Sequence, residues 1–259
     1  ENAIDLRFGH PVQAIDPVKK TVPVGLETLT YDQLVLTTGS IPRRLPAAIG
    51  GGLDGVFTVR SLADVDAMQP EFAAGRRLII VGGGYIGLEA AAVAAKLGLD
   101  VTVLEMAPRI LQRVASPETS AYFRDLHQAH GVKILEATGL DRLLGEVRVT
   151  GARLTDGREL PADFVIVGVG IMPATALAEQ AGLEIDNGIK TSTLGRTSDP
   201  SIWAAGERGS RGAPGTPSTC TPRSTGRCGA TFRSTASIAA SSTTSARWPR
   251  PMRLARAGG

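Results

Sequence analysis

Short, unbroken apolar runs recur along the first 206 positions, and most end on glycine or another small residue: Leu34-Val35-Leu36 before Thr37-Thr38-Gly39, Leu78 to Val81 before Gly82, Val101 to Leu104 before Glu105, Phe164 to Val167 before Gly168-Val169-Gly170, and Ile202 to Ala205 before Gly206. Runs of this length suit strands buried on both faces, the condition of a parallel sheet covered on its two sides. Between them the spacing predicts helices. The small, helix-favouring stretch Ala90 to Ala95 is stopped by Gly98. Ser116-Pro117-Glu118 offers a capping hydroxyl, a proline for the first helical position and an acid for the first turn, with a stop at Gly131 and a third strand at Val132 to Leu135. Strands alternating with helices define an α/β fold.

The flanks follow other periods. His10 to Asp16, Lys19 to Val24 and Glu27 to Leu29 read as short strands, Pro42 to Pro46 as a linker, and Arg60 to Phe72 as a helix. Glu146 to Asp163 alternates apolar and polar residues around Asp156-Gly157, predicting a small antiparallel meander, and Leu177 to Ala181 a short helix.

After Gly206 both periodicities vanish. Residues 1–206 carry 19 basic and 24 acidic side chains, whereas residues 207–259 carry nine arginines, no lysine and one acid, Glu207, so the net charge of +3 conceals two unlike parts. Three readings of this tail stay open: a basic disordered arm that binds nucleic acid or anionic surfaces, a linker, or translation of a GC-rich gene out of frame. The last accounts best for arginine without lysine, and stacking aromatics are scarce, with Phe232 and Trp248 alone. Both cysteines, Cys220 and Cys228, also lie there, which leaves residues 1–206 without a disulfide, a thiolate metal site or a redox dithiol. No apolar run approaches the roughly 18 residues of a membrane helix. The opening ENAIDLRF has neither an initiating methionine nor a signal-peptide pattern. The expectation is a soluble, cytoplasmic protein with a cut N-terminus.

The chemistry concentrates in Leu78 to Glu105. Gly82-Gly83-Gly84-Tyr85-Ile86-Gly87 is G-x-G-x-x-G placed after a strand and before a helix. Gly82 permits the tight turn, Gly84 lets the backbone approach a pyrophosphate, and Gly87 lets the helix pack closely; the free N–H groups and positive dipole end of that helix favour the phosphates. Glu105 lies 18 residues after Gly87, near the offset at which an acid accepts hydrogen bonds from the adenine ribose. Its charge repels a 2′-phosphate and so favours NADH over NADPH, an argument that nearby Arg109 and Arg113 could partly reverse.

Four segments in order, YDQLVLTTGSIPRRL, VGGGYIGLEAAAVAAKLGLDVTVLE, LPADFVIVGVGIMP and RTSDPSIWAAGE, resemble the FAD-dependent pyridine-nucleotide oxidoreductases of the glutathione-reductase fold, and within them the ferredoxin reductases of oxygenase systems, the putidaredoxin-reductase family. The resemblance covers nearly all of residues 1–207. It implies two dinucleotide-binding domains: a partial FAD domain at 1–44, a complete NADH-binding Rossmann-like domain at 45–170, and a return to the FAD domain at 171–206. It also implies that the family's first glycine-rich unit would precede residue 1, that a C-terminal domain would follow Gly206, and that Glu207 stands where Asp is usual. The resemblance places Gly82, Gly84, Ile86 and Gly87 at the NADH pyrophosphate, Glu105 at the adenosine ribose and Arg113 near the adenine end. Glu89 would face the nicotinamide beside the flavin, with Gly170 on the backbone next to that ring, and Thr38, Gly39, Arg43 and the Val12 backbone would touch FAD. Arg43, Arg113 and Glu89 also read as ordinary solvated residues, and Val12 as strand packing.

The activity so implied is hydride transfer from NADH to FAD, followed by single-electron delivery to a ferredoxin-type [2Fe-2S] protein, with nucleotide binding but little turnover expected of these 259 residues alone. A disulfide, peroxide or quinone reductase on the same scaffold, a non-catalytic NADH-binding module and an arginine-tailed nucleic-acid binder remain as alternatives. His127 and His130 share a helix face, and without a further ligand they read as surface residues rather than a metal site.

Overall fold

The computed structural model describes residues 4–206. In chain order these form β1 (Thr21–Val24), β2 (Glu27–Thr30), β3 (Leu34–Leu36), β4 (Ser40–Pro42), β5 (Val56–Thr58), α1 (Leu62–Met68), β6 (Arg77–Val81), α2 (Tyr85–Lys96), β7 (Asp100–Leu104), α3 (Pro117–Ala129), β8 (Lys133–Leu135), β9 (Leu140–Leu144), β10 (Gly151–Leu154), β11 (Glu159–Pro161), β12 (Phe164–Val167), β13 (Ile171–Pro173), α4 (Ala176–Gln180) and β14 (Ile202–Ala204). The central sheet is parallel, in the order β5-β12-β6-β7-β8.

Its strands are continuous apolar runs because both faces are covered. Leu78, Ile80, Val101, Val103, Phe164 and Ile166 face the layer containing Ala91 and Ala94 of α2. Ile79, Val81, Leu104, Val165 and Val167 face Leu143, Val149, Ala152 and Leu154 of the antiparallel meander β9-β10-β11. Both long helices start and stop as the sequence prescribes. Ser116 Oγ accepts from the Thr119 N–H at 3.3 Å, with Pro117 as the first helical residue. At the far end of α2 the Gly98 N–H bonds Ala95 O and the Leu99 N–H bonds Ala94 O, with Gly98 at φ +82°. At the end of α3 Gly131 at φ +83° and Val132 repeat the pattern on Gln128 O and His127 O; both are paired C-terminal closures built on a left-handed glycine.

At the opposite end of the sheet from the glycine turn, Asp163 accepts from Arg77 Nη2 at 2.6 Å, Arg77 Nε at 3.2 Å and the Arg77 backbone N–H at 2.8 Å. These bonds hold its carboxyl at about 2, below its ordinary 3.8. The stabilisation from a depressed carboxyl is complete above the unfolded value and is lost as pH falls from about 4 towards 2. Asp163→Asn is expected to cost on the order of 1 kcal/mol at pH 7, since Arg77 is partly exposed, and almost nothing near pH 2. Urea denaturation at the two pH values checks the difference.

Several expectations need correction. His10 to Asp16 forms no strand; Val12 and Asp16 make isolated bridges to Val24 and Thr21, and Asp16 Oδ1 instead accepts the N–H groups of Val18 and Lys19 in a turn. Ser40–Pro42 is a strand paired antiparallel to Ile171–Pro173, so the predicted linker begins inside a ladder whose prolines sit at its ends. The Arg60 to Phe72 helix is only α1 followed by a 3-10 turn at Gln69–Glu71, because Pro70 interrupts it. The meander begins one strand earlier than predicted, at β9. His127 is buried rather than on the surface, and desolvation, then repulsion from His130, pushes its pKa down. All readings of residues 207–259 lie outside the described residues. Among those described, no helix is long and apolar enough to cross a membrane.

Candidate dinucleotide site

The carboxyl ends of β12, β6 and β7 lie side by side, where an open parallel sheet presents its crevice. The three glycines of the fingerprint do different work there. Gly82, at φ +111°, donates its N–H to Leu104 O at 2.8 Å, and a Cβ on it would lie 2.4 Å from Gly168 O. A Cβ on Gly87 would lie 2.1 Å from Gly82 O. These two positions are glycine because protein backbone fills the space. Gly84 differs: its φ of −83° is open to any residue, and a Cβ there would meet nothing within 4 Å. The free space over Gly84 suits a ligand. Behind it the N-terminus of the 12-residue α2 has no side-chain cap and no acid in its first turn, so its N–H groups face that space with their partial positive charge.

Glu105 leaves β7 and turns back onto the glycine turn. Its Oε2 accepts the Gly83 N–H at 2.8 Å and its Oε1 the Ala107 N–H at 2.7 Å. Each carboxylate oxygen keeps a further lone pair, so the bonds orient the acid without exhausting it. Arg109 is held within its own loop. Its guanidinium donates to Ala115 O, Ser116 O, Gln112 O and Ser120 Oγ, tying the loop after β7 to the start of α3. Ile86 and Glu89 are both exposed on α2, among the exposed apolar side chains Tyr85 and Val93. Glu89 has no hydrogen-bond or ion-pair partner among the described residues.

Gly170, at φ +102°, accepts the Arg43 N–H at 2.9 Å, and Arg43 Nε donates to Ile171 O at 3.2 Å. Arg113 Nη2 lies 3.8 Å from where a Gly170 Cβ would stand. Thr38 Oγ1 donates to Ala174 O at 2.7 Å, and Gly39, at φ +67°, accepts the Ala174 N–H. Val12 and Thr38 line one largely apolar cavity of about 260 Å³ with Ile15, Leu34 and Leu36. The sequence-predicted residues thus gather in three neighbourhoods: Gly82, Gly84, Ile86, Gly87 and Glu105 at the glycine turn; Arg43, Arg113 and Gly170 at the end of β12; and Val12, Thr38 and Gly39 beside β3. Sequence reasoning missed Gly168, whose carbonyl requires Gly82, Gly83 as the donor to Glu105, and the buried Leu111 at φ +55°, whose N–H bonds Gly83 O at 2.9 Å. The run Gly82-Gly83-Gly84 carried a signal for Gly83 and Gly168-Val169-Gly170 one for Gly168; nothing in the sequence marks Leu111.

A strand, a glycine turn, an uncapped helix and a strand-end acid define a dinucleotide-binding domain of the Rossmann class. The profile of the family described as pyridine nucleotide-disulphide oxidoreductase matches residues 1–219, and the chain belongs to that family. It is 44% identical over 211 residues to the 5,5'-dehydrodivanillate O-demethylase ferredoxin reductase subunit of Sphingobium sp. (strain NBRC 103272 / SYK-6), covering 80% of this chain and 51% of that protein. It is 41% identical over 210 residues to putidaredoxin reductase of Pseudomonas putida, covering 79% of this chain and 50% of the relative. The crystal structure of the covalent putidaredoxin reductase–putidaredoxin complex superposes with a TM-score of 0.73 at 41% identity, over 77% of this chain and 49% of that one. The glutathione-reductase-type fold read from the sequence therefore holds. The chain spans about half the length of the curated relatives it matches.

Proposed function

We propose that this chain binds NADH over Gly84, and that the whole-length protein is an NADH-dependent FAD flavoprotein reductase that passes electrons to a ferredoxin-type [2Fe-2S] protein of an oxygenase system. The observation that carries the first part is the empty approach to Gly84 between an uncapped helix terminus and the oriented Glu105 carboxylate. The second part is supported by the family and by relatives named as ferredoxin reductases. Gly82, Gly84, Ile86 and Gly87 are assigned to the pyrophosphate, Glu105 to the adenosine ribose, and Glu89 and Gly170 to the nicotinamide side. Residues 45–170 are the NADH domain. Residues 1–44 and 171–206 form one further unit, a division supported by the pairing of β3 with β14 and of β4 with β13.

When bound, NADH would supply a hydride and, in the whole-length protein, FAD would supply the conversion of a two-electron into a one-electron carrier. This chain's own residues orient the nucleotide: α2 fixes the phosphates, Glu105 the ribose, and Glu89 borders the reacting ring. Of the FAD contacts assigned, Val12 and Thr38 line one cavity beside β3, Gly39 follows Thr38, and Arg43 is bonded to Gly170 and Ile171 at the end of β12. Among the described residues α2 alone starts from a glycine, so no second backbone cradle for FAD phosphates stands beside that cavity.

Glu105→Gln tests the assignment, because it removes the charge that faces a 2′-phosphate and one acceptor for the ribose. The ratio of NADPH to NADH dissociation constants is expected to fall about tenfold, the change a single charge-assisted hydrogen bond of about 1.5 kcal/mol confers. An unchanged ratio in a folded variant sinks the role given to Glu105.

A further inference from the structure

We infer that two copies of this chain dock through the outer face of α2, antiparallel about a two-fold axis at Ala92 and Val93, with Glu89 of each copy paired to Lys96 of the other. The inference goes beyond the NADH reading and does not depend on it.

α2 turns Gly87, Leu88, Ala91 and Ala94 inward, where they are buried. A helix that covers a sheet in this way ordinarily shows polar residues to water. The outer face of α2 does not. Tyr85, Ile86, Val93 and, just past the helix end, Leu97 are each 44–56% exposed, Ala92 is exposed between them, and Glu89 and Lys96 are the helix's only charges. At about 3.6 residues per turn, Glu89 and Lys96 fall near the middle of that face, with Val93, Ile86 and Leu97 along one flank and Tyr85 and Ala92 along the other.

These two charges do not serve one another. Seven residues set them roughly 10 Å apart along the axis, and the helix positions three or four residues from either one, Tyr85, Ile86, Ala92 and Val93, are uncharged. Asp100, four residues after Lys96, bonds Lys133 instead. Neither Glu89 nor Lys96 has a hydrogen-bond or ion-pair partner among the described residues.

A second copy supplies both partners at once. Glu89 and Lys96 stand equally far either side of the midpoint between Ala92 and Val93. An antiparallel pair crossing there sets Glu89 opposite Lys96 of the other copy twice, which is the reciprocity of an isologous contact. A parallel pair would set like charges opposite each other. Because the two-fold axis is normal to the plane of the two helices, like flanks meet: Val93 packs on Val93 near the axis, and Leu97 runs beside Ile86 of the other copy. Small Ala92 on the other flank lets the helices approach closely. One helix face offers less than the roughly 800 Å² per partner of a standard interface, so the association is weak, with a dissociation constant on the order of 10–100 µM. Glu89 is also assigned to the nicotinamide side of bound NADH, so nucleotide and second copy would compete for it.

Sedimentation velocity on the purified chain without nucleotide, from about 2 to about 300 µM, reads the association. A reversible monomer–dimer equilibrium is expected. Glu89→Lys and Lys96→Glu each set like charges opposite one another at both ends of the contact and should weaken dimerisation at least about tenfold, whereas the double exchange should return the dissociation constant to within about threefold of the parent. Val93→Asp, which puts two carboxylates at the axis, should leave a monomer throughout the range, and it serves alone if an exchange variant does not fold. All three positions are exposed, so melting temperatures should stay close to the parent's. A parent chain that is monomeric at the top of the range overturns the inference. Association that survives the single exchanges or Val93→Asp would place the contact elsewhere in the chain and overturn it too, as would a folded double exchange that stays monomeric.

Discussion

Gly84→Ala is expected to abolish most NADH affinity without unfolding the protein, and Gly87→Ala to do the reverse in order, losing stability first and binding as a consequence. The contrast follows from what surrounds each position. At Gly84 a methyl group meets no protein atom and the backbone is in an ordinary region, so stability should stay within about 1 kcal/mol. The methyl occupies the approach assigned to the phosphates, and the dissociation constant for NADH should rise at least about tenfold, or roughly 1.4 kcal/mol. At Gly87 the methyl would lie 2.1 Å from the Gly82 carbonyl, a backbone atom in the turn itself. Overpacking of that kind costs roughly 3 kcal/mol, offset by up to about 1 kcal/mol from alanine's better helix propensity. A net loss of about 2 kcal/mol corresponds to a melting temperature roughly 4–8 °C lower in a domain of this size. Thermal melts and nicotinamide fluorescence on both variants separate the two outcomes. Normal NADH binding by Gly84→Ala would mean that the phosphates sit elsewhere.

Phe164→Ala is the second large effect, expected to cost about 3–5 kcal/mol and to lower the melting temperature by about 10 °C. Phe164 is fully buried in β12, with its ring 6.4 Å from Phe57 and 5.4 Å from Phe72 and the Arg76 guanidinium 5.7 Å from its centroid. Its loss leaves a cavity where the central sheet meets the segment following α1. β12 also delivers Gly168 to Gly82, so the damage should reach the site, and a mild decrease in NADH affinity is expected in whatever fraction stays folded. A melting temperature within about 2 °C of the parent would show that this cluster is not what holds the sheet together.

The parallel sheet, α2, α3 and the glycine turn were legible because they rest on local chemistry: unbroken apolar runs, small residues at fixed offsets, and caps such as Ser116 and Gly98. Glu105 was legible for the same reason, as its spacing from Gly87 is a property of one strand–helix–strand unit. The errors fall where partners are distant in sequence. Ser40–Pro42 becomes a strand only because Ile171–Pro173 returns beside it, and Val12 is placed by a single bridge to Val24. The arginines were ambiguous for a related reason. Arg109 and Arg113 occupy the same short loop, yet one is consumed by carbonyls at the start of α3 and the other is carried across to Gly170. Long side chains report where their stems begin, and only the folded loop decides where their charges end. His127 lies on the face of α3 that also carries buried Ser120 and the half-buried Phe123, a face whose two polar members hide its helical spacing.

If the residues around Gly84 suffice to hold the nucleotide, this chain binds NADH by itself. Titrating the purified chain with NADH, without added flavin, and following nicotinamide fluorescence tests it most directly. Saturable binding of one NADH per chain, displaced by ADP-ribose, with NADPH clearly weaker, is the expected result. A folded protein that does not bind NADH, or that binds NADPH equally well, would contradict it.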